Sequence, residues 1–583
     1  MVPKFNAFSH RTGRLAKAFL SATAATALGL MAAAAHAQTT IDSTATVPGT
    51  YASPWTVPGI LYVGYNGTGT LNINPGGTVS SAESHIGYNS GSNGTVNVSG
   101  AGATWTDSQG IYLGHDLDVT GTLHITSGGA VSTPFLTLGA YLPNGSSIIV
   151  DGTGSTLTAE QFQYSSGDLT VSGGGKVVVV NSFNLMGAED GTLSTITVTG
   201  KDAGGTPSTL TINGDLPFGV YGNNKLVISD GGVVSDVDGV ITTTAYVSAY
   251  SYLNTVVVDG AGSKWINTGY LWVGESDNGA LVISNGGEVS AAGGVTVDNW
   301  GAFTVPSSIN IGATSGNAPV APGILTTPTV DLNMDGFLVF NHTDTSGNYV
   351  FAAKITDCVA GGCGVLAGSG AINQMAGTTV LTGNSDAFSG TTSITGGTLR
   401  VNGTLGDAIS TMAVASGGTL GGTGTIGSAV TVGSGGTFNP GDGATPGSMT
   451  TVLRDLTFNA GAHYAVNIQQ TTSSLARVNG AVALGGVDVA MNFAAPPTLN
   501  MGDTIVLLDA SAGSMTGAPA SSTITTAGYI FTLSVQNKQL IATVTGIVPT
   551  GSNQAAIPTL NPAALALLAL GLMAAVALGR KRG

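Results

Sequence analysis

The chain has 583 residues, 90 of them glycine, with 8% Asp, Glu, Lys and Arg, 6% aromatics and 42% hydrophobic residues. Glycine is about twice and charge roughly a third of the usual globular share. With no strict G-X-Y triplet, this excludes collagen and a charge-solvated disordered chain. Net charge is −15, and between the basic termini nine Lys and Arg face 31 Asp and Glu, a balance of −22 that argues against nucleic acid as a partner.

Residues 1–37 read as a secretory signal peptide. A basic stretch from Lys4 to Lys17 leads into the apolar run Ala18–Ala35 and then Ala35-His36-Ala37, an A-x-A site that predicts cleavage between Ala37 and Gln38. The next segment, 38–300, is repetitive. GTLNINPGGTVS at 69–80, GTLHITSGGAVS at 121–132, NKLVISDGGVVS at 224–235 and GALVISNGGEVS at 279–290 share one pattern, with a weaker copy at 167–178. GTVNVSGAGATW at 94–105, SSIIVDGTGSTL at 146–157 and NTVVVDGAGSKW at 254–265 share a sister pattern. Starts at 69, 94, 121, 146 and 167 step by 25, 27, 25 and 21 residues. Another short strand ending in Gly often precedes the core strand, as in Tyr62-Val63-Gly64, His85-Ile86-Gly87 and Tyr112-Leu113-Gly114.

Each unit alternates apolar and polar residues, turns on glycine, and alternates again. A lone unit of about 25 residues cannot bury its apolar side, whereas stacked units share a continuous core. One unit per coil with recurring turns describes a parallel β-helix. A propeller would need repeats of roughly 40–50 residues.

Regularity lapses over 301–375, which carries Pro306, Pro319, Pro322 and Pro328 and then Cys358-Val-Ala-Gly-Gly-Cys363. In an exported body these two cysteines are expected to form a local disulfide across a flexible loop. Residues 376–450 hold a second repeat style, with TVLTGNSDAFSGTTSITGGTLRVNG at 379–403 and VASGGTLGGTGTIGSAVTVGSGGTFNPG at 414–441. These stretches resemble the autotransporter-associated β-strand repeat. Residues 451–546 look like the β cap that closes autotransporter passenger domains. Thirty-seven residues follow Gly546, too few for the barrel of at least 8 strands by which autotransporters cross the outer membrane, so self-translocation is not expected.

Residues 547–556 read as a linker. Residues 557–583 join Ile557-Pro558-Thr559-Leu560, the charge-free run Ala563–Gly579 and the basic trio Arg580-Lys581-Arg582. The run is long enough for a transmembrane helix, and the trio anchors its end in the cytoplasm. This order resembles the IPTL-CTERM sorting tail, a relative of the PEP-CTERM tails of Gram-negative bacteria. The resemblance implies handling by an exosortase-type membrane protease.

Chemistry-bearing motifs are sparse. His85, His115, His124, His342 and His463 are scattered, without zinc-site spacing, and read as strand or turn histidines. Gly422-Thr-Gly424-Thr-Ile-Gly427 matches G-x-G-x-x-G, but no helix is predicted after it, so it does not read as a dinucleotide site. Asp151, Asp259 and the pairs Asp116 with Asp118 and Asp236 with Asp238 read as turn aspartates rather than calcium ligands. Trp105 and Trp265 hold equivalent repeat positions and Trp272 follows nearby. Exposed, they would make a sugar-stacking platform; stacking along the solenoid is the preferred reading. Between Gln38 and Trp300 the cations are Lys176, Lys201, Lys225 and Lys264, with no Arg, which counts against a polysaccharide lyase.

The resulting expectation is an all-β chain: a right-handed parallel β-helix (β-solenoid) with a C-terminal β cap, an N-terminal signal peptide and a C-terminal transmembrane helix. No catalytic residue, cofactor or metal is assigned. The expected role is structural or adhesive, at the cell surface or in the extracellular matrix. The chain would first be anchored on the periplasmic side of the inner membrane. Its expected partners are the export machinery, the exosortase-type protease and an extracellular polysaccharide or neighbouring cell surface. The alternative is a secreted polysaccharide-binding or polysaccharide-cleaving β-helix.

Overall fold

Short runs of alternating residues become strands here because β-branched side chains pack on a pleated face and glycine turns end each run. The structure, a computed structural model, describes residues 38–548 apart from 117, 140–144, 186–192, 220–223, 242–253, 275–277, 298–306, 334–335 and 358–369. Every regular element among the described residues is a strand. They form two compact units. One comprises the described residues of 38–344 and 352–372, the other those of 345–351 and 373–548.

In the first unit a coil begins with a strand such as Thr68–Ile73, turns, and continues into a strand such as Thr78–Ile86. Each strand pairs in parallel with its counterparts one coil before and one coil after. Leu71 lies opposite Val96, and Val96 opposite Leu123. The inward residues therefore stack in columns. Leu71, Val96, Leu123, Ile148, Leu169 and Leu226 are all fully buried, as are Ile73, Val98, Ile125, Val150, Val171 and Ile228. Each such side chain stabilises the stack by about 1.5–3 kcal/mol through burial. The period-2 reading of the sequence and the parallel β-helix are both correct.

The two glycines of a turn are needed for different reasons. Ser127 and Gly128 both have positive φ, the combination a tight primed turn requires. Gly129 has no such φ, but a Cβ there would collide with the Val98 carbonyl of the preceding coil. The sister pattern interlocks with this turn. The Gly128 N–H donates to Ser155 Oγ at 3.1 Å, and Gly231 N–H to Ser263 Oγ at 3.0 Å. The two patterns alternate because the serine of one coil satisfies the glycine N–H of another.

Residues 301–375, irregular in sequence, carry further coils. Ser308–Gly312 pairs in parallel with Gly279–Ser284, and Phe337–Asn341 with Ser308–Gly312. The alternation survives in these strands. What changes is the turn, where residues 313–323 with Pro319 and Pro322 replace a Gly–Gly corner.

The second unit has shorter coils. Thr378–Leu381, Gly397–Val401, Gly418–Gly422 and Thr437–Pro440 pair successively in parallel, starting 19, 21 and 19 residues apart. Gly422 closes a strand of this ladder, so its G-x-G-x-x-G has no phosphate-binding setting. Stacking ends where Thr504–Asp509 pairs in parallel with Leu475–Val478 and antiparallel with Gln539–Ile547. Tyr529–Gln536 and Thr523–Thr526 complete this antiparallel cap, covering an edge that would otherwise pair with another chain.

Candidate functional site

The expected cleavage residue Ala37, the cysteines Cys358 and Cys363 of the expected disulfide, the expected sorting motif Ile557, Pro558, Thr559 and Leu560, and the expected anchor Arg580, Lys581 and Arg582 lie outside the described residues. Gln38 is the first described residue and is exposed. Among the described residues no helix is long and apolar enough to cross a membrane. No group of three or more His, Cys, Asp or Glu among them is placed to hold a metal ion.

Trp105 and Trp265 are core residues, 1% and 0% exposed, and offer no surface to a sugar. Their register neighbours are valines, Val79 and Val131 for Trp105 and Val234 and Val289 for Trp265, so the indoles do not stack on each other. Each needs an acceptor for its N–H inside the dry core. Trp105 Nε1 donates to Ser81 Oγ at 2.9 Å, and Ser81 donates to Asp107 at 2.7 Å. Trp265 Nε1 donates directly to Asp236 at 2.6 Å. Asp236, read as a turn residue, is therefore a buried partner of a tryptophan. Burial pushes its carboxyl up to about 7, against the indole hydrogen bond that favours the charged form. Asp151 and Asp259, read as turn residues, instead close strands and bond across coils, accepting from their register partners Ser172 Oγ at 2.6 Å and Ser284 Oγ at 2.5 Å.

The histidines are less scattered than their positions suggest. Parallel register brings Tyr62, His85 and Tyr112 into one column, with successive ring centroids 5.2 and 5.0 Å apart and near-parallel planes. Tyr65, Tyr88 and His115 form a second column, stacked at 5.4 and 4.6 Å. The columns meet edge to face, with Tyr62 4.9 Å from Tyr88 and His85 5.3 Å from His115. His85 Nε2 bonds Glu83 at 2.8 Å, while its Nδ1 is buried without a hydrogen-bond partner. Burial holds His85 below the ordinary histidine range despite Glu83, and pushes Tyr62 up to about 12. The signal for this cluster was present in the sequence. Tyr-Val-Gly-Tyr at 62–65, His-Ile-Gly-Tyr at 85–88 and Tyr-Leu-Gly-His at 112–115 place rings at the same two steps of three successive coils.

His124 joins a polar ladder on another face, its Nδ1 3.1 Å from Asn97 Oδ1, and Asn97 Nδ2 donates to Asn72 at 2.8 Å. His342 is fully buried, and His463 lies 3.8 Å from Asp488 in the second unit. Trp272 differs from the other two tryptophans. It points outward beside Tyr270, with ring centroids 5.4 Å apart.

The outward surfaces are thus ladders of short polar side chains interrupted by ring clusters.

No protein family matches the chain. It is 29% identical over 386 residues to the adhesin BmaC autotransporter of Brucella suis biovar 1, a match covering 56% of this chain and 10% of that protein. It is 27% identical over 290 residues to the uncharacterized lipoprotein YdeK of Escherichia coli K12, covering 39% of this chain and 22% of that protein. A hyper-glycosylated TibA fragment of known structure aligns at a TM-score of 0.22 and 14% identity, over 75% of this chain and 99% of the fragment. The matches thus span about a tenth and about a fifth of the two relatives, and the chain is similar in sequence to part of an autotransporter.

Proposed function

We propose that this chain is an exported β-solenoid with a structural and adhesive role, attaching cells to one another, to a matrix or to a surface. The observation that carries the reading is the similarity to the adhesin BmaC autotransporter over more than half of the chain. The polar ladders support it, since regular repeats of Thr, Ser and Asn give a large open contact area without a reaction centre. The role requires no catalytic residue, cofactor or metal. The signal peptide exports the body and is cleaved between Ala37 and Gln38, and the tail of residues 557–583 holds it at the inner membrane. An exosortase-type protease acting near Ile557–Leu560 then frees it for the cell surface or matrix.

Deleting the coding sequence is expected to reduce attachment severalfold without changing growth, with recovery on complementation. Unchanged attachment would overturn the adhesive reading. Mass spectrometry of the chain from the envelope and medium is expected to show Gln38 at one end and a terminus near Ile557 at the other. An intact Arg580-Lys581-Arg582 terminus in every fraction would overturn the processing step.

A further inference from the structure

We infer that residues 48–54 are a strap that guards the first described coil against pairing with a second copy of this chain. This guard does not depend on the adhesive reading. Among the described residues, strands Thr39–Ile41 and Thr44–Val47 pair on one side only, with Trp55–Val63 and Thr68–Ile73. Such an edge offers its N–H and C=O groups to another chain. The usual deterrents are missing from it. Residues 39–47 hold no Lys, Arg or Pro, and their one charged residue, Asp42, is engaged by the Tyr65 N–H at 2.5 Å. Backbone groups along this edge alternate in direction. Ser43 C=O accepts the Thr70 N–H and Val47 C=O the Asn74 N–H, both at 2.8 Å, so Thr44 and Thr46 face the other way, toward the free edge.

The strap takes both edge-facing groups of Thr46. Thr46 N–H donates to Thr50 Oγ1 at 3.2 Å, and the Tyr51 N–H donates to Thr46 C=O at 3.0 Å. The Thr50 N–H closes the loop on Thr46 Oγ1 at 3.1 Å. Two further ties hold the strap down. The Tyr51 ring stacks on Trp55, with centroids 3.9 Å and planes 4° apart, and Ser53 Oγ accepts the Thr78 N–H at 2.9 Å. What the strap excludes follows from the path of a coil. A two-fold axis perpendicular to the axis of a helical path carries that path onto itself with its direction reversed. Two first coils can therefore meet edge to edge with antiparallel pairing. Centred on Thr46, the two-fold sets Thr46 opposite its own copy as a hydrogen-bonded pair, which exchanges the same N–H and C=O that Thr50 and Tyr51 now hold. It also sets Ala45 opposite the partner's Val47, both inward and buried, so the core would continue across the junction. A second copy thus fits this edge, and the pair closes on itself.

The test weighs the exported chain by sedimentation and light scattering at micromolar concentration, where wild type is expected to be monomeric. Replacing residues 48–52 by Gly-Ser-Gly-Ser-Gly, which keeps Ser53, is expected to give a species of about twice the mass and nothing larger. The gentler pair Thr50→Val with Tyr51→Ala, which leaves the loop at its length, is expected to shift the mass in the same direction. Thr46→Pro removes an edge-facing N–H and is tolerated at a sheet edge, and it is expected to return the strapless chain to a monomer. Circular dichroism melts matching the wild type show that each variant is folded. A dimeric wild type, folded strap variants that stay monomeric, association that survives Thr46→Pro, or open-ended polymers would each overturn the inference. So would loss of the β signal in both strap variants, which would make residues 48–54 a folding element instead of a guard.

Discussion

Early and late coils of the first unit meet the same demand, a buried indole N–H, with different polar pairs. In the early coils Ser81 lies opposite Asp107, and in the late coils Asp236 lies opposite Asn267. The early carboxylate accepts four hydrogen bonds, from Ser81 and Ser84 hydroxyls and from the Gln109 and Gly110 N–H groups. The late pair is short of donors. Asp236 Oδ1 and Asn267 Oδ1 are both buried without a partner. The surrounding backbone differs too. Early strands such as Thr104–Leu113 run continuously through a bulge that Asp107 ties together. In the late coils the same path is two strands, Val233–Asp236 and Gly239–Ile241. Burial raises the Asp107 carboxyl too, but the donors that the bulge turns toward it oppose the rise. Where the strand breaks instead, the acid is better kept protonated.

The largest expected effect removes the shared element. Trp105→Ala or Trp265→Ala should each cost about 3–5 kcal/mol, read as a lower urea midpoint. A much smaller loss at either position would show that the coils collapse around the cavity.

Next comes Asp236→Asn. Because the folded carboxyl is raised to about 7, its contribution is fully present below the unfolded value near 4 and is lost as pH rises through about 7. The variant should match wild type near pH 4. It should gain on it by about 1.4 kcal/mol for each pH unit up to about 7, since an amide accepts from Trp265 and carries donors of its own. Parallel pH profiles of the melting temperature for the two proteins would refute this account.

Asp107→Asn should do the reverse and destabilise by about 1–3 kcal/mol at pH 7, because an amide group faces existing donors. Equal signs for the two Asp→Asn changes would break the comparison.

The smallest effect concerns His85. Held below its ordinary range by burial, it contributes stability above the unfolded value of about 6.5 and loses it as pH falls below that value. His85→Phe, which keeps a ring in the column, should flatten the loss of stability between pH 7 and 5. An unchanged acid limb would show that His85 is not its source.

Much of this was legible in the residues. The alternation in Leu71-Asn72-Ile73 and Val96-Asn97-Val98 identified inward columns correctly, and the Gly–Gly turns marked the corners. The glycine pattern lapses over 301–375 while the coils continue, because pairing follows the apolar alternation that Ser308–Gly312 retains. The outward turn of Trp272 was only half visible. Trp105, Trp265 and Trp272 look alike in sequence, yet the strand's phase at each decides whether the indole enters the core.

By itself, the sequence determined the fold class, because a period of two with glycine corners every 25 or so residues leaves few other ways to bury the apolar positions. Which side chains become neighbours was decided only by the tertiary structure. In the first unit parallel stacking makes neighbours of residues 20 to 36 positions apart, so His85 lies opposite Tyr112, and Asp236 meets the indole of Trp265 from the adjacent coil. The alternation within a strand records which side chains point inward, but which residue of the adjacent coil lies opposite depends on the length of the intervening turns, and no single coil records that.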